Sequence, residues 1–316
     1  MSWVIVAGER VLKMKKPVRY PFLDFSTPRL RERNCREELR LNRRLAPQVY
    51  LGLLALKWHD GRFTLVPEDR LPAPGTTIDW LVLMRRLPAE RMLDRAMAAG
   101  TLRPADIDAV VALLSDFYRR AQRTALGADA YLGRFRREQA INRELLVQPR
   151  FAALAAGSTL DRLDAAIDAQ AATLQERVLH GKVVDGHGDL RPEHVCLVDP
   201  PVVIDCLEFS VELRQVDPFD ELAFLGLECA VAGAPWVAQR LVEGAAAALD
   251  DRPPDALIGL YTANRAVLRA RLAVAHLLDP QPRTPDRWLP LGRRYLEHAA
   301  SALAALDALD RMRDAP

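Results

Sequence analysis

Two short apolar runs, close together, constrain this chain more than anything else in it. The first opens Val183-Val184-Asp185-Gly186-His187-Gly188-Asp189-Leu190-Arg191-Pro192-Glu193-His194-Val195-Cys196-Leu197. The second is Val202-Val203-Ile204-Asp205-Cys206-Leu207-Glu208-Phe209. Each joins β-branched residues to an acidic residue at its end. Short strands of this kind, bounded by turn residues, present carboxylates at the mouth of a cleft. Taken alone, the same residues also read as two strands closed by Asp-Gly and Asp-Pro turns.

The remainder of the chain narrows the classes available. Its 316 residues are enough for one large core or two lobes, and 50% are apolar, as in an ordinary globular protein. No apolar run approaches the ~20 residues that span a bilayer. The start, Met1-Ser2-Trp3-Val4-Ile5-Val6-Ala7-Gly8, lacks the basic lead and the length of a signal peptide, so a cytoplasmic location is expected. A net charge of +2 gives no argument for nucleic acid or a membrane as partner. Cys35, Cys196, Cys206 and Cys229 lack paired metal spacing and read as small buried side chains.

Periodicity then sets out the elements. Trp3 to Ala7 and Val11 to Met14 flank Gly8-Glu9-Arg10 as a hairpin. Lys13 and Lys15 lie on its second strand and share a face by alternation, so the pattern does not separate them. Thr27 and Pro28 open a helix that carries Glu37 and Glu38 and stops near Pro47. A second hairpin joins Val49–Leu56 to Arg62–Val66 across His59-Asp60-Gly61, and Asp79 to Pro88 forms a further strand. From Glu90 to Arg177 the pattern is helical, with Leu160 to Val178 read as one amphipathic helix. Asp217-Pro218 caps another helix, and helices fill the remainder.

The run His187-Gly188-Asp189, followed by Ile204-Asp205, resembles the catalytic loop of the aminoglycoside phosphotransferase and choline kinase families, relatives of the protein kinases. The stretch Glu37-Glu38-Leu39-Arg40-Leu41-Asn42-Arg43-Arg44-Leu45-Ala46-Pro47 is similar to a bacterial subgroup often fused to an ATPase domain. The resemblance implies an α+β, two-lobed, protein-kinase-like fold, with a small β-rich nucleotide-binding lobe over 1–86 and a mainly helical lobe over 87–316. It implies ATP-dependent phosphorylation of a hydroxyl on a small molecule: a sugar, an amino alcohol or an aminoglycoside-like compound. Mg²⁺ is the expected ion, with Mn²⁺ as the alternative.

On this resemblance Asp189 is the catalytic residue that faces the acceptor hydroxyl, and Asp205 holds the metal. His194 stands where the family usually has Asn. It is a metal ligand, a donor to a phosphate, or the mark of a degenerate site, because imidazole suits softer ions than Mg²⁺. Lys13, or Lys15, binds the phosphates and pairs with Glu38, or with Glu37. The backbone of Leu83, Met84 and Arg85 is expected to meet the adenine. Glu208 supports the metal site, and Arg265, Arg269 and Arg271 are placed near the acceptor pocket. The family carries a further strand and a phosphate-covering loop before the first hairpin. Here the chain begins almost at the hairpin, so that lid is expected to be absent or the start to be short. The competing expectation is a nucleotide-binding pseudokinase or interaction module with a degenerate metal site. The acceptor and any protein partner are left open.

Overall fold

The computed structural model describes residues 1–20 and 23–313. In chain order the elements are β1 (Ser2–Ala7), β2 (Arg10–Lys15), β3 (Arg19–Tyr20), β4 (Leu23–Asp24), α1 (Pro28–Asn42), β5 (Tyr50–His59), β6 (Arg62–Pro67) and β7 (Thr76–Arg85). They are followed by α2 (Leu93–Ala98), α3 (Pro104–Arg120), α4 (Ala128–Leu146), α5 (Gly157–Ala169), α6 (Ala171–Leu179) and the two-residue strands β8 (Val184–Asp185), β9 (Val195–Cys196) and β10 (Val202–Val203). The chain closes with α7 (Val211–Arg214), β11 (Gln215–Val216), α8 (Pro218–Val231), α9 (Trp236–Leu249), α10 (Asp255–Ala275) and α11 (Pro285–Arg313). The class is α+β, with an antiparallel sheet in the N-terminal part and helices thereafter.

The chain divides into two compact units. One joins Met1–Leu102 to His187–Arg214, and the other joins Arg103–Gly186 to Gln215–Pro316. The sequence reading drew its boundary at residue 86. In the structure the carboxylate-bearing loop after β8 groups with the sheet, because β9 backs onto the α2 region: Leu197 N–H donates to the Arg91 carbonyl and Met92 bridges Cys196.

In the first unit five antiparallel strands run in the order β1-β2-β7-β5-β6. Strand β2 has a neighbour on each side, with Lys13 opposite Val4 on β1 and Val82 on β7. Helix α1 starts as expected: the Thr27 hydroxyl accepts from Leu30 N–H and Pro28 occupies the first turn. Cys35 and Leu39 on α1 bury against Tyr50, Leu53, Trp80 and Val82 of the sheet. The helix ends at Asn42 instead of near Pro47, since residues 43–45 form turns and Arg43 Nε donates to the Tyr50 carbonyl. All four cysteines are buried thiols.

In the second unit α10 packs against α11, α8 and α4, and α3 packs against α9. The helix expected over 160–178 is two, α5 and α6, broken at Gln170. Near the end of α6, Arg177 makes a buried bidentate pair with Asp217, whose carboxylate also caps α8 through Phe219 N–H. Among the described residues no helix is long and apolar enough to cross a membrane.

Candidate active site

The site grows from strand alternation on β2. Lys13 and Lys15 point to the same side of the sheet, and both reach Glu38 on α1. Lys13 Nζ lies 2.8 Å from Glu38 Oε1, and Lys15 Nζ lies 2.7 Å from Glu38 Oε2. Glu38 is fully buried. Glu37, one residue earlier, turns outward and pairs with Arg40 instead. The two lysines then part company. Lys13 continues to Asp205 Oδ1 at 2.5 Å, whereas Lys15 is sealed from solvent and meets Glu208 Oε1 at 2.5 Å. Glu208 thus braces Lys15 together with Glu38.

The loop that carries Asp189 is held from inside. His187 is fully buried; its Nε2–H donates to the Ile204 carbonyl at 2.9 Å, and its Nδ1 accepts the Asp189 N–H at 3.3 Å. Gly188 has φ +87, and a Cβ there would come within 3.0 Å of Arg214 Cγ and Leu207 Cβ, so the glycine is required twice over. The Asp189 carboxylate accepts from Arg191 Nη2 at 2.9 Å, and Arg191 Nη1 donates to Glu193 at 2.6 Å. His194 Nδ1 lies 2.8 Å from the Asp189 carbonyl, and its Nε2 lies 3.6 Å from Asp205 Oδ2.

Asp205 sits at φ +65, a left-handed conformation that a side chain rarely adopts. Two buried residues support it. The Asp205 N–H donates to the Tyr50 hydroxyl at 3.1 Å, and the Cys206 N–H donates to Asn42 Oδ1 at 2.8 Å. Backbone strain of this kind persists only where the surroundings over-determine it, and it collects at functional sites. A cavity of about 350 Å³ opens here, with Lys13, Tyr50, Met84, Arg85, His194 and Asp205 in its wall.

The electrostatics follow from this packing. Enclosure alone would raise the Asp205 carboxyl, but Lys13 and then His194 outweigh it and hold the group well below the usual carboxylate range. Burial likewise works against Lys13, yet Glu38 and Asp205 keep its ammonium charged far above its ordinary value. Glu38 is lowered because Lys13 and Lys15 overcome its burial. Burial dominates at Glu208, which is raised despite Lys15. Burial and the His194 ring push His187 down to about 4, so it is neutral at pH 7.

Of the expected residues, Lys13, Lys15, Glu38, His194 and Asp205 converge in one network. Asp189 stands beside it through Arg191 and His194. Met84 and Arg85 reach the cavity, while Leu83 does not line it. The Arg85 and Arg86 amides are already used, donating to the carbonyls of Val49 and Glu9. Arg265, Arg269 and Arg271 form ion pairs with Asp220, Glu228 and Glu138 inside the helical unit. The sequence reading missed Asn42, Tyr50 and Arg191. Arg191 had a signal, two residues after Asp189; Asn42 and Tyr50 had none, because their partners lie more than 150 positions away in sequence.

No family model matches the chain. Uncharacterised proteins of Mycobacterium tuberculosis and Mycobacterium bovis are each 32% identical over 312 residues, covering 95% of this chain and 59% of theirs. The chain therefore spans somewhat over half the length of these relatives. Among solved structures it is similar to a glucosamine kinase, with a TM-score of 0.52 at 15% identity over 94% of this chain and 76% of that one. It is also similar to an ethanolamine kinase of Plasmodium vivax, with a TM-score of 0.51 at 8% identity over 98% and 84%. The fold is protein-kinase-like. An aminoglycoside phosphotransferase of Alicyclobacillus acidocaldarius shares this kinase-like fold, with a TM-score of 0.50 at 15% identity over 98% and 92%. These structural neighbours are small-molecule phosphotransferases. Among the described residues no group of three or more His, Cys, Asp or Glu converges as a ready-made metal cage.

Proposed function

We propose that the protein is an ATP-dependent phosphotransferase acting on a hydroxyl of a small molecule. The observation that carries this reading is the meeting of the Lys13–Glu38 pair and Asp205 at one 350 Å³ cavity, in the compact unit that also holds Asp189. Lys13, held by Glu38, has the reach to exchange Asp205 for a phosphate oxygen. Asp205, with His194 3.6 Å from its Oδ2, would hold a divalent cation once Lys13 turns to a phosphate, and when bound the cation would supply charge neutralisation at the phosphates. Asp189, oriented by Arg191 and by the backbone bond to His194, accepts the proton of the attacking hydroxyl. Lys15 and Glu208 keep Glu38 in register. Sugars, amino alcohols and aminoglycoside-like compounds are the acceptor classes to screen.

One departure favours a second reading, a nucleotide-binding module without turnover: an imidazole occupies the position the family usually fills with Asn. Calorimetric titration of ATP into the protein, with Mg²⁺, with Mn²⁺ and with chelator, tests the first reading. Binding should depend on metal and be lost in Asp205→Ala. Absence of binding with either metal would overturn the phosphotransferase assignment. Metal-dependent binding without turnover of any screened acceptor, unchanged by His194→Asn, would favour the second reading.

A further inference from the structure

Another cavity, of about 440 Å³, lies wholly among helices of the second unit, and its walls carry no residue of the site described above. Small side chains make its room. Ala223, Gly226 and Ala230 of α8 recur at helical spacing on one side, and Ala238, Val242 and Ala246 of α9 line another. The cavity runs from buried apolar residues, Ala223, Gly226 and Ala246, to an exposed charged rim at Glu243, Arg252 and Asp255. That rim is stiff. Arg252 and Asp255 are separated by Pro253 and Pro254, and Pro254 is extended at φ -56 and ψ 143. Two prolines fix the spacing and keep the opposite charges from folding onto each other. Among the described residues neither Arg252 nor Asp255 has a hydrogen-bond or ion-pair partner, and neither has His298 of α11, half-buried in the same cavity. Their neighbours are taken: Asp251 holds Arg177 and Lys182, and Glu243 accepts from Gln239.

We propose that this cavity binds a free α-amino acid with an apolar side chain: its carboxylate on Arg252, its ammonium on Asp255, and its side chain among Ala230, Val242 and Ile258. The inference goes beyond the phosphotransferase reading and does not depend on it. Ligand cavities of roughly 300–1,000 Å³ have mostly apolar walls and a few fixed polar groups, and one at the small end of that range suits a small metabolite. The guanidinium fork matches a carboxylate through two parallel bonds. An apolar amine would leave Arg252 unanswered, and an apolar acid would leave Asp255 unanswered. A ligand carrying both charges meets both ends of the proline spacer. Because the spacer is already set, little ordering is lost on binding.

The test is calorimetric titration of the whole protein, without nucleotide, with L-leucine and L-phenylalanine. The controls lack one charge each: isocaproate and isoamylamine for leucine, hydrocinnamate and phenethylamine for phenylalanine. At least one of the amino acids should bind at one site per chain, and its two controls should bind about tenfold more weakly, the usual worth of a hydrogen bond to a charged group. Arg252→Gln and Asp255→Asn should each weaken binding by a similar factor and leave the melting temperature unchanged. Ala230→Leu, which fills the cavity, should abolish binding; if that variant fails to fold, the two charge variants decide. Absence of binding by both amino acids at millimolar concentration would overturn the proposal. So would binding that both charge variants leave unchanged, or a control that binds as tightly as its amino acid.

Discussion

The molecule contains two kinds of buried charge. In the helical unit they are closed pairs: Arg177 grips Asp217 through two nitrogens, Arg265 grips Asp220 the same way, and Tyr261 adds a further bond to Asp217. Around Glu38 the arrangement is open. Three carboxylates, Glu38, Asp205 and Glu208, face two lysines, and the Asp205 side chain is 44% exposed at one edge of the cluster. Arginine forks lock onto carboxylates through paired nitrogens, and Arg177 uses its remaining nitrogen on Asp251, whereas lysine is a point charge that can be shared and released. The first arrangement suits a scaffold. The second, with a surplus carboxylate at its rim, suits a site where a cation and an anionic ligand come and go.

Several experiments would break or sharpen that contrast. The largest effect is expected at Asp189→Asn. Turnover should fall by roughly 10²- to 10⁴-fold, the usual contribution of a positioned base, while ATP affinity and melting temperature stay close to those of the parent. Retained turnover would remove Asp189 from the chemistry. Next in size is Arg177→Met in the closed set, which strands Asp217 without its counter-ion. Denaturant unfolding should show a loss of about 3–5 kcal/mol; a loss below about 1 kcal/mol would mean that this pair is not a scaffold element.

The pH dependence of folding tests the loop that carries Asp189. His187 is held neutral, its pKa down to about 4 against about 6.5 for an unfolded histidine. A depressed value means that the unfolded chain takes up the proton first as pH falls. The stability involved is complete above about pH 6.5 and declines toward pH 4, by about 3 kcal/mol at most. Urea unfolding across that range should show the decline, and His187→Gln should flatten it; an equal slope in the variant would assign the effect elsewhere. Asn42→Ala removes the acceptor for Cys206 N–H and should cost about 1–3 kcal/mol, with weakened metal-dependent nucleotide binding as Asp205 loosens. Full stability with normal binding would show that Tyr50 alone suffices to hold the left-handed turn. The smallest effect is at the surface: Arg143→Ala, which breaks exposed pairs to Asp161 and Asp164, should change stability by less than about 1 kcal/mol.

Much of the fold was legible from local chemistry. The first hairpin, the Thr27 cap with Pro28, the second hairpin and the Asp217 cap all rest on residues within a few positions of one another, and each is where the sequence puts it. The misreadings have one origin. The chain from Leu160 to Val178 has an unbroken helical period, yet the helix breaks at Gln170, and Arg177 near its end is held by Asp217 forty positions later. The helix opened by Thr27 likewise stops at Asn42 and not near Pro47, where Arg43 turns to the Tyr50 carbonyl. Periodicity reports which face is buried; it does not report what meets that face.

The same division runs through the site. Strand alternation on β2 determined that Lys13 and Lys15 share a face, and the His187-Gly188-Asp189 run with Ile204-Asp205 singled out two carboxylates as candidates. Only the tertiary structure decided that Lys13 turns to Asp205 while Lys15 is locked to Glu208, that Glu38 and not Glu37 receives them, and that Tyr50 and Asn42 hold Asp205 in its left-handed turn. The reason is one of range. Alternation, capping and turn chemistry act between near neighbours and are written in order along the chain. A hydrogen bond between residues 42 and 206 is set by the packing of α1 on the sheet and by the path of the loop beneath it, and no local pattern encodes that meeting.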